Sequence, residues 1–322
     1  MTIKFGILVA AAGSLLAGCV SLPANRGADD VQKLVASRSA IAASAALGTA
    51  KNSDAQLEKL LAGPLDADAA VRVALVGSPQ MRVLFAELGL DQADVYDATR
   101  LPNPSLGYER LASSGGGTQT TWSLTQGFME VLFARYRNRL GRFALLETEQ
   151  RAAHGVLQLE SEVRSAWLHH AATRQMARLR SGAARASQIS AELAQRFYEA
   201  GNISALQLAR EQAAASAALI AVRNQEAEVA AARSALLALI GVEDGVGLTL
   251  LDRLTQPAPL QSDLPSLQAL ALKQRLDLQA LRTNVEWSES QEAFGSRWRW
   301  INGLAVDLSR ERDADGSTLK GA

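Results

Sequence analysis

The chain is 322 residues long, enough for one large domain or two ordinary ones. Lys plus Arg (33) balances Asp plus Glu (33), which argues against a dedicated nucleic-acid binder, because neutralising phosphates needs a basic excess. A single Cys leaves no disulfide framework and no zinc site, and no cofactor is expected.

Apolar residues make up 48% of the sequence, much of it alanine, and aromatics only 5%. This is the composition of long, closely packed helices, because Ala has the highest helix propensity and lets backbones approach. At the N-terminus Lys4 gives a positive start, and residues 5–16 form an apolar stretch of signal-peptide length, too short to span a bilayer. It ends in Leu16-Ala17-Gly18-Cys19, a string that resembles the bacterial lipobox. That resemblance implies a signal peptide over 1–18 and lipid attachment, palmitate included, at Cys19. An ordinary signal peptide with an incidental Cys is the plainer alternative. Val20, in place of an Asp, is compatible with the outer membrane. Residues 19–63 read as a lipid-anchored tether, extended or loosely helical up to about residue 51, with a short helix at 56–61 ended by Gly63-Pro64.

Asp66 is placed to N-cap a helix through Ala74, Leu75 and Val76. Ser78-Pro79 marks a break or a first turn, and Met81 to about Ala98 continues as helix up to Leu101-Pro102-Asn103-Pro104. Period-2 patterning follows. Leu106 and Tyr108 alternate with Gly107 and Glu109. After a Ser/Gly-rich loop, Trp122, Leu124 and Phe128 alternate with Thr121, Ser123, Thr125 and Gly127. Bulky apolar residues opposite small polar ones suit a strand between lipid and a wet lumen, and equally a soluble hairpin with one buried face.

From 133 to 200 there is no proline, and apolar residues recur in steps of three and four, which predicts one helix roughly 100 Å long. Gly201, Asn202, Ile203 and Ser204 form a sharp turn, with Gly at C′ and Ser as the next N-cap. A second helix runs to about Ile240, and Gly241 ends it. Leu206, Ala213, Ile220, Ala227 and Ser234, seven apart, resemble a heptad seam of mostly small residues. Residues 242–265, rich in Gly and Pro, read as a connector. Helix resumes from 266 to about 296, then Leu304, Val306 and Leu308 alternate with Gly303, Ala305, Asp307 and Ser309 as a third strand.

Positions 74, 75, 81, 84, 88 and 100 match 271, 272, 278, 281, 285 and 297, so the chain carries an internal repeat. The first copy covers 64–241. The second, from 266 to 322, reads as a helix and one strand, and the expectation is that it is incomplete, because an unpaired strand in lipid leaves open backbone groups.

In their order and spacing, these features are similar to the TolC-type outer-membrane efflux family. The marks are Ala74-Leu75 with Ser78-Pro79, Leu101-Pro102-Asn103-Pro104, the turn from Tyr198-Glu199-Ala200 through Ser204, and Ala271-Leu272 with Asp277-Leu278. Ser78 departs from the Asn or Arg usual before that Pro. The resemblance, to the family's lipoprotein branch, implies a mainly α fold with a small β part. It combines a very long antiparallel helical hairpin, an element of an α-barrel tunnel, with membrane β-barrel strands in a two-repeat architecture whose second repeat is incomplete. It further implies a homotrimer in the outer membrane, lipid-anchored and extending into the periplasm. A periplasmic adaptor would meet the tip at Gly201, Asn202, Ile203 and Ser204 and join it to an inner-membrane pump. Trp122, Leu124, Phe128, Leu304, Val306 and Leu308 would face lipid. The function implied is passive export of small molecules or ions. No gate residues are assigned, because in the family the constriction belongs mainly to the second hairpin.

Other readings compete. A periplasmic coiled-coil scaffold without a pore, or an inactive truncated homologue, uses the same hairpin. An enzyme is disfavoured: there is no GxxxxGK[ST] phosphate loop and no nucleophile elbow. His169-His170 reads as a solvated or interhelical pair rather than a metal site.

Overall fold

In the computed structural model of the chain, the described residues are 25, 27–45, 47, 53–101, 103–112, 117–127, 132–243, 248–254, 256, 259, 263–300, 305–312 and 317–321. They fall into two compact units that cut across the linear repeats. One comprises Gly27–Glu87 and Arg151–Leu276; the other comprises Leu88–Gln150 and Asp277–Ala322. Nine helices and four strands are described. In chain order they are α1 (Ala28–Ala36), α2 (Ala40–Ser44), α3 (Ser53–Leu61), α4 (Ala67–Gly77), α5 (Pro79–Thr99), β1 (Ser105–Ala112), β2 (Thr118–Gly127), α6 (Ala134–Glu199), α7 (Ala205–Ile240), α8 (Leu264–Gln274), α9 (Leu276–Trp298), β3 (Ala305–Arg312) and β4 (Thr318–Gly321).

In the first unit the expected tether is more ordered than its composition suggested. α1 buries Ala28, Val31 and Val35 at steps of three and four, and Gln32 Nε2 donates to the carbonyls of Ala42 (2.8 Å) and Ala43 (3.1 Å) in α2. The polar residues between the valines masked this apolar stripe in the sequence. Arg38 Nε donates to the Gln274 carbonyl (2.9 Å), setting a cation at the C-terminal end of α8 where the helix dipole favours one. The Asp66 carboxylate caps α4 by accepting from the Ala69 N–H (2.7 Å). The Leu65 carbonyl accepts from the Leu251 N–H (3.0 Å) and from Trp167 Nε1 of α6 (3.2 Å), while the Leu65 N–H donates to Thr249 (2.9 Å). Part of the expected connector is therefore a fixed strap against α6, held also by Arg174 and Arg178 on the Asp252 carboxylate.

α6 and α7 form the long hairpin, 66 and 36 residues. Leu208, Ala215, Ala232 and Leu236 of α7 are buried, with Gln225, whose Nε2 donates to the Thr173 carbonyl (3.2 Å). This seam lies two residues away from the one anticipated, about 200° around the helix. Leu206 and Ile220 are 63% and 62% exposed. Both sets repeat every seven residues, and where the side chains are mostly Ala the spacing cannot say which set turns inward. On α6 the small residues Ala184 and Ala194 are buried.

In the second unit the sheet has the order β1-β2-β3-β4, antiparallel throughout. β4 was not anticipated; it pairs Lys320 with Arg310 and Thr318 with Arg312. Four residues containing a Gly carry too little alternation to read as a strand. In the same unit, Tyr136 of α6 stacks on Phe294 of α9 (centroids 3.7 Å) and donates its hydroxyl to the Ser290 carbonyl (2.8 Å). Phe133 meets Phe294 and Trp298 edge-on. Thr283 Oγ1 donates to Gln150 Oε1 (3.1 Å).

The repeat is visible in the backbone. Ser78 breaks α4 from α5 in an extended conformation (ψ 134°), its N–H on the Ala74 carbonyl. Arg275 breaks α8 from α9 in the same way (ψ 119°), its N–H on Ala271. Pro79 forces the first break, because a residue before Pro disfavours the helical region; the second occurs without Pro. The expected single helix from 266 is thus two. The strands run three residues later than the helices: β1 and β2 begin at Ser105 and Thr118, β3 and β4 at Ala305 and Thr318. Tyr108 therefore corresponds to Leu308.

Candidate functional site

Two surfaces carry the residues singled out from the sequence. The first is the sheet, whose pairing register sorts its side chains. Tyr108, Trp122, Arg310 and Lys320 align across the four strands; Leu106, Leu124 and Leu308 form the row on one side, and Arg110, Thr120, Arg312 and Thr318 the row on the other. These positions share one face, because successive side chains alternate. Its Leu and aromatic side chains are open to solvent, Leu106 at 70%, Trp122 at 52% and Leu308 at 51% exposed, and give way to cations towards the Arg110 row. The Tyr108 and Trp122 rings touch at 4.6 Å between centroids. Leu106, Trp122, Leu124, Leu308, Arg310 and Lys320 line a shallow depression. The opposite face carries Gly107, Ser123 and Ser309 in one row and Glu109, Thr121 and Glu311 in the next, with Gln119 hydrogen-bonded to Glu311.

Trp122, Leu124 and Leu308 thus share a face, and Val306 has its register position there too. Phe128 and Leu304 lie outside the described residues, as does Cys19. The sequence reading did not note the charge arrangement. All four cations of the strands, Arg110, Arg310, Arg312 and Lys320, lie on the apolar face, and all three carboxylates, Glu109, Asp307 and Glu311, on the other. The signal was legible in the alternation of Arg310-Glu311-Arg312 and in the Glu109-Arg110 step.

The second surface is the hairpin tip. α6 ends in a Schellman motif: the Gly201 N–H donates to the Tyr198 carbonyl (2.9 Å) and the Asn202 N–H to Phe197 (2.8 Å), with Gly201 left-handed at φ 75°. Ser204 is extended, and its Oγ accepts from the Gln207 N–H (3.3 Å) to start α7. Gly201, Asn202 and Ser204 are exposed and Ile203 half-buried, next to exposed Phe197, Tyr198 and Leu206. The tip combines a rigid backbone with an apolar rim.

His170 is buried in α6, and its pKa is lowered, first by desolvation and then by Arg174 and Arg233, with Asp252 opposing; it is held neutral. Asp252 lies below the usual carboxylate range because Arg178, and then Arg174, hydrogen-bond to its charged form. Among the described residues no group of three or more His, Cys, Asp or Glu could hold a metal ion, and no helix is long and apolar enough to cross a membrane.

No protein-family profile matches the chain, and no curated protein matches it in sequence. Solved structures do match in fold. CusC, described as forming a transmembrane channel, superposes with a TM-score of 0.60 at 16% identity, over 79% of this chain and 64% of that one. The outer membrane protein VceC of Vibrio cholerae gives 0.60 at 17% identity, over 83% and 67%. The CmeC outer membrane channel of Campylobacter jejuni gives 0.61 at 13%, over 79% and 60%. The chain spans about 64% of the length of CusC and 60% of CmeC.

Proposed function

We propose that this chain, which has the fold of bacterial outer-membrane channels, is a TolC-type subunit of an efflux conduit. Its sheet would stand in the outer membrane as part of a barrel shared by three copies, and its hairpin would extend into the periplasm. A lipid on Cys19 would add an anchor. The tip at Gly201, Asn202, Ile203 and Ser204 would meet an adaptor that links the conduit to an inner-membrane pump. Export would be passive: the chain would supply a wet path, and the pump the energy.

The observation that carries this reading is the open apolar face of the sheet. In water, Leu106, Trp122, Leu124 and Leu308 side by side would be an aggregation hazard. Against acyl chains they are at home, with the Gly, Ser, Thr and Glu face turned to a wet lumen. The outer edge of β1 is unpaired among the described residues, and in lipid such an edge needs a strand from another copy. The pore-free scaffold has no use for this face.

Single-channel recording in planar bilayers tests the proposal. Discrete ohmic steps from the purified 322-residue chain are expected. A chain that enters the bilayer and never conducts would favour the inactive homologue, and one that does not enter it the pore-free scaffold.

A further inference from the structure

We propose that Arg110, Arg310, Arg312 and Lys320 form a binding site for the phosphate groups of anionic lipid headgroups, at the loop end of the sheet's apolar face. The inference rests on the reading above that this face meets lipid, and it names which lipid chemistry the face selects.

The register places the four cations together. Arg310 stands directly opposite Lys320, and Arg312 is two residues further along the same strand. Arg110 shares a row with Arg312 across Thr120. With neighbouring strands about 5 Å apart and a rise of about 3.4 Å per residue, the four Cα atoms fit in a patch roughly 16 Å across. That matches a lipid headgroup bearing more than one phosphate. All four residues are exposed, and among the described residues none makes an ion pair.

Two features set the cluster apart from an ordinary solvated edge. Like charges directly opposite each other on paired strands are destabilising, so Arg310 beside Lys320 disfavours this register unless an anion lies between them. Relief was available nearby, yet Glu109, Asp307 and Glu311 all point away through the other face. The cations are thus segregated from the sheet's own carboxylates and grouped with its apolar residues. Along β1 the face runs from Leu106 through Tyr108 to Arg110, about 14 Å from apolar to basic. That sequence of acyl contact, aromatic ring and cation follows the layers of a lipid leaflet down to its phosphates. α5 and α9 enter β1 and β3 at the apolar end, so the basic row belongs to the leaflet away from those helices. Arginine dominates the cluster, as suits its bidentate fit to phosphate. The long Arg and Lys stems can lie along apolar surface while their charged ends reach the headgroups.

The test uses the full chain with vesicles of phosphatidylcholine, alone or mixed with diphosphoryl lipid A or its enzymatically dephosphorylated form. Insertion is read by flotation, and retained glycolipid is quantified after detergent extraction and gel filtration. Wild type should insert into all three and retain only the phosphorylated glycolipid. Arg110→Gln/Arg310→Gln/Arg312→Gln/Lys320→Gln should insert as well and retain about tenfold less or lower still. A charge-matched control, Arg180→Gln/Arg185→Gln/Arg196→Gln/Arg210→Gln, should retain as wild type does. Equal retention by the sheet variant, or of the dephosphorylated glycolipid, overturns the proposal while insertion keeps the membrane reading intact. Failure of wild type to enter any vesicle overturns that reading and the proposal with it.

Discussion

Gly201 and Gly241 offer a matched pair of substitutions. Each follows a long helix and takes the left-handed conformation, at φ 75° and 74°. They differ in what a Cβ would meet. At Gly201 nothing lies within 4 Å; at Gly241 the Gly77 carbonyl oxygen would be at 2.5 Å and Pro79 Cδ at 2.9 Å. Alanine at either site carries the left-handed penalty of about 1–2 kcal/mol. At Gly241 it must also displace the junction of α4 and α5, where the obstacle is backbone and ring rather than a movable side-chain end. Such overlap adds about 2 kcal/mol. For a unit of this size each kcal/mol moves the melting point by about 2–4 °C, so Gly241→Ala should melt about 4–8 °C below Gly201→Ala. Circular dichroism at the helical minimum, with both variants in one detergent, makes the comparison. Equal melting points would refute the close approach of α7's end to the α4–α5 junction. The opposite order would refute the packing derived for that whole unit.

Three further outcomes follow from the two surfaces and the buried histidine. Ala215→Leu overpacks the seam between α6 and α7 and should cost about 1–3 kcal/mol, whereas Ala213→Leu, on the exposed seam, should leave the melting point of the single chain unchanged; thermal denaturation compares the two. Leu124→Arg puts a charge at the apolar row and should prevent flotation with vesicles, at about 2–4 kcal/mol if the site lies near mid-bilayer, while Thr125→Arg on the other face should still float. Because His170's pKa is lowered on folding, the unfolded chain binds the extra proton first as pH falls through 6.5. Stability should therefore decline below that pH, levelling off once the native imidazole is protonated too. His170→Leu should flatten that slope in melting curves recorded against pH; an unchanged slope would show that other groups set it.

What could be read from the sequence divides by the kind of signal. Turn chemistry was unambiguous: Asp66, Ser204, Gly201 and Gly241 each do what their residue type dictates, because caps are local. Alternation gave the sheet's faces, since period 2 allows only two choices and Trp122 and Leu124 fix which is apolar. Periodicity alone failed on the hairpin. A stripe of alanines seven apart is compatible with either side of a helix, and the larger residues Leu206 and Ile220 drew attention to the outer one. The ion pairs of Asp252 with Arg174 and Arg178, separated by 78 and 74 residues, belong to tertiary structure and leave no local mark. The bond from Trp167 to the Leu65 carbonyl, across 102 residues, is of the same kind.

The displaced seam bears on function. A hairpin that merely braces a globular core needs one apolar stripe per helix, facing its partner. α7 has two: the buried one through Leu208, Ala215 and Leu236, and the exposed one through Leu206, Ala213 and Ile220, about 200° apart. α6 likewise leaves Met176, Leu179, Leu193 and Phe197 exposed, spaced by threes, fours and their sums. A helix in a closed ring touches a neighbour on each side, so two seams per helix is what a tube demands and what an isolated hairpin would be penalised for. In the proposed conduit the outer seam would meet helices of its neighbours, and small residues along it, such as Ala213 and Ala227, would permit their close approach.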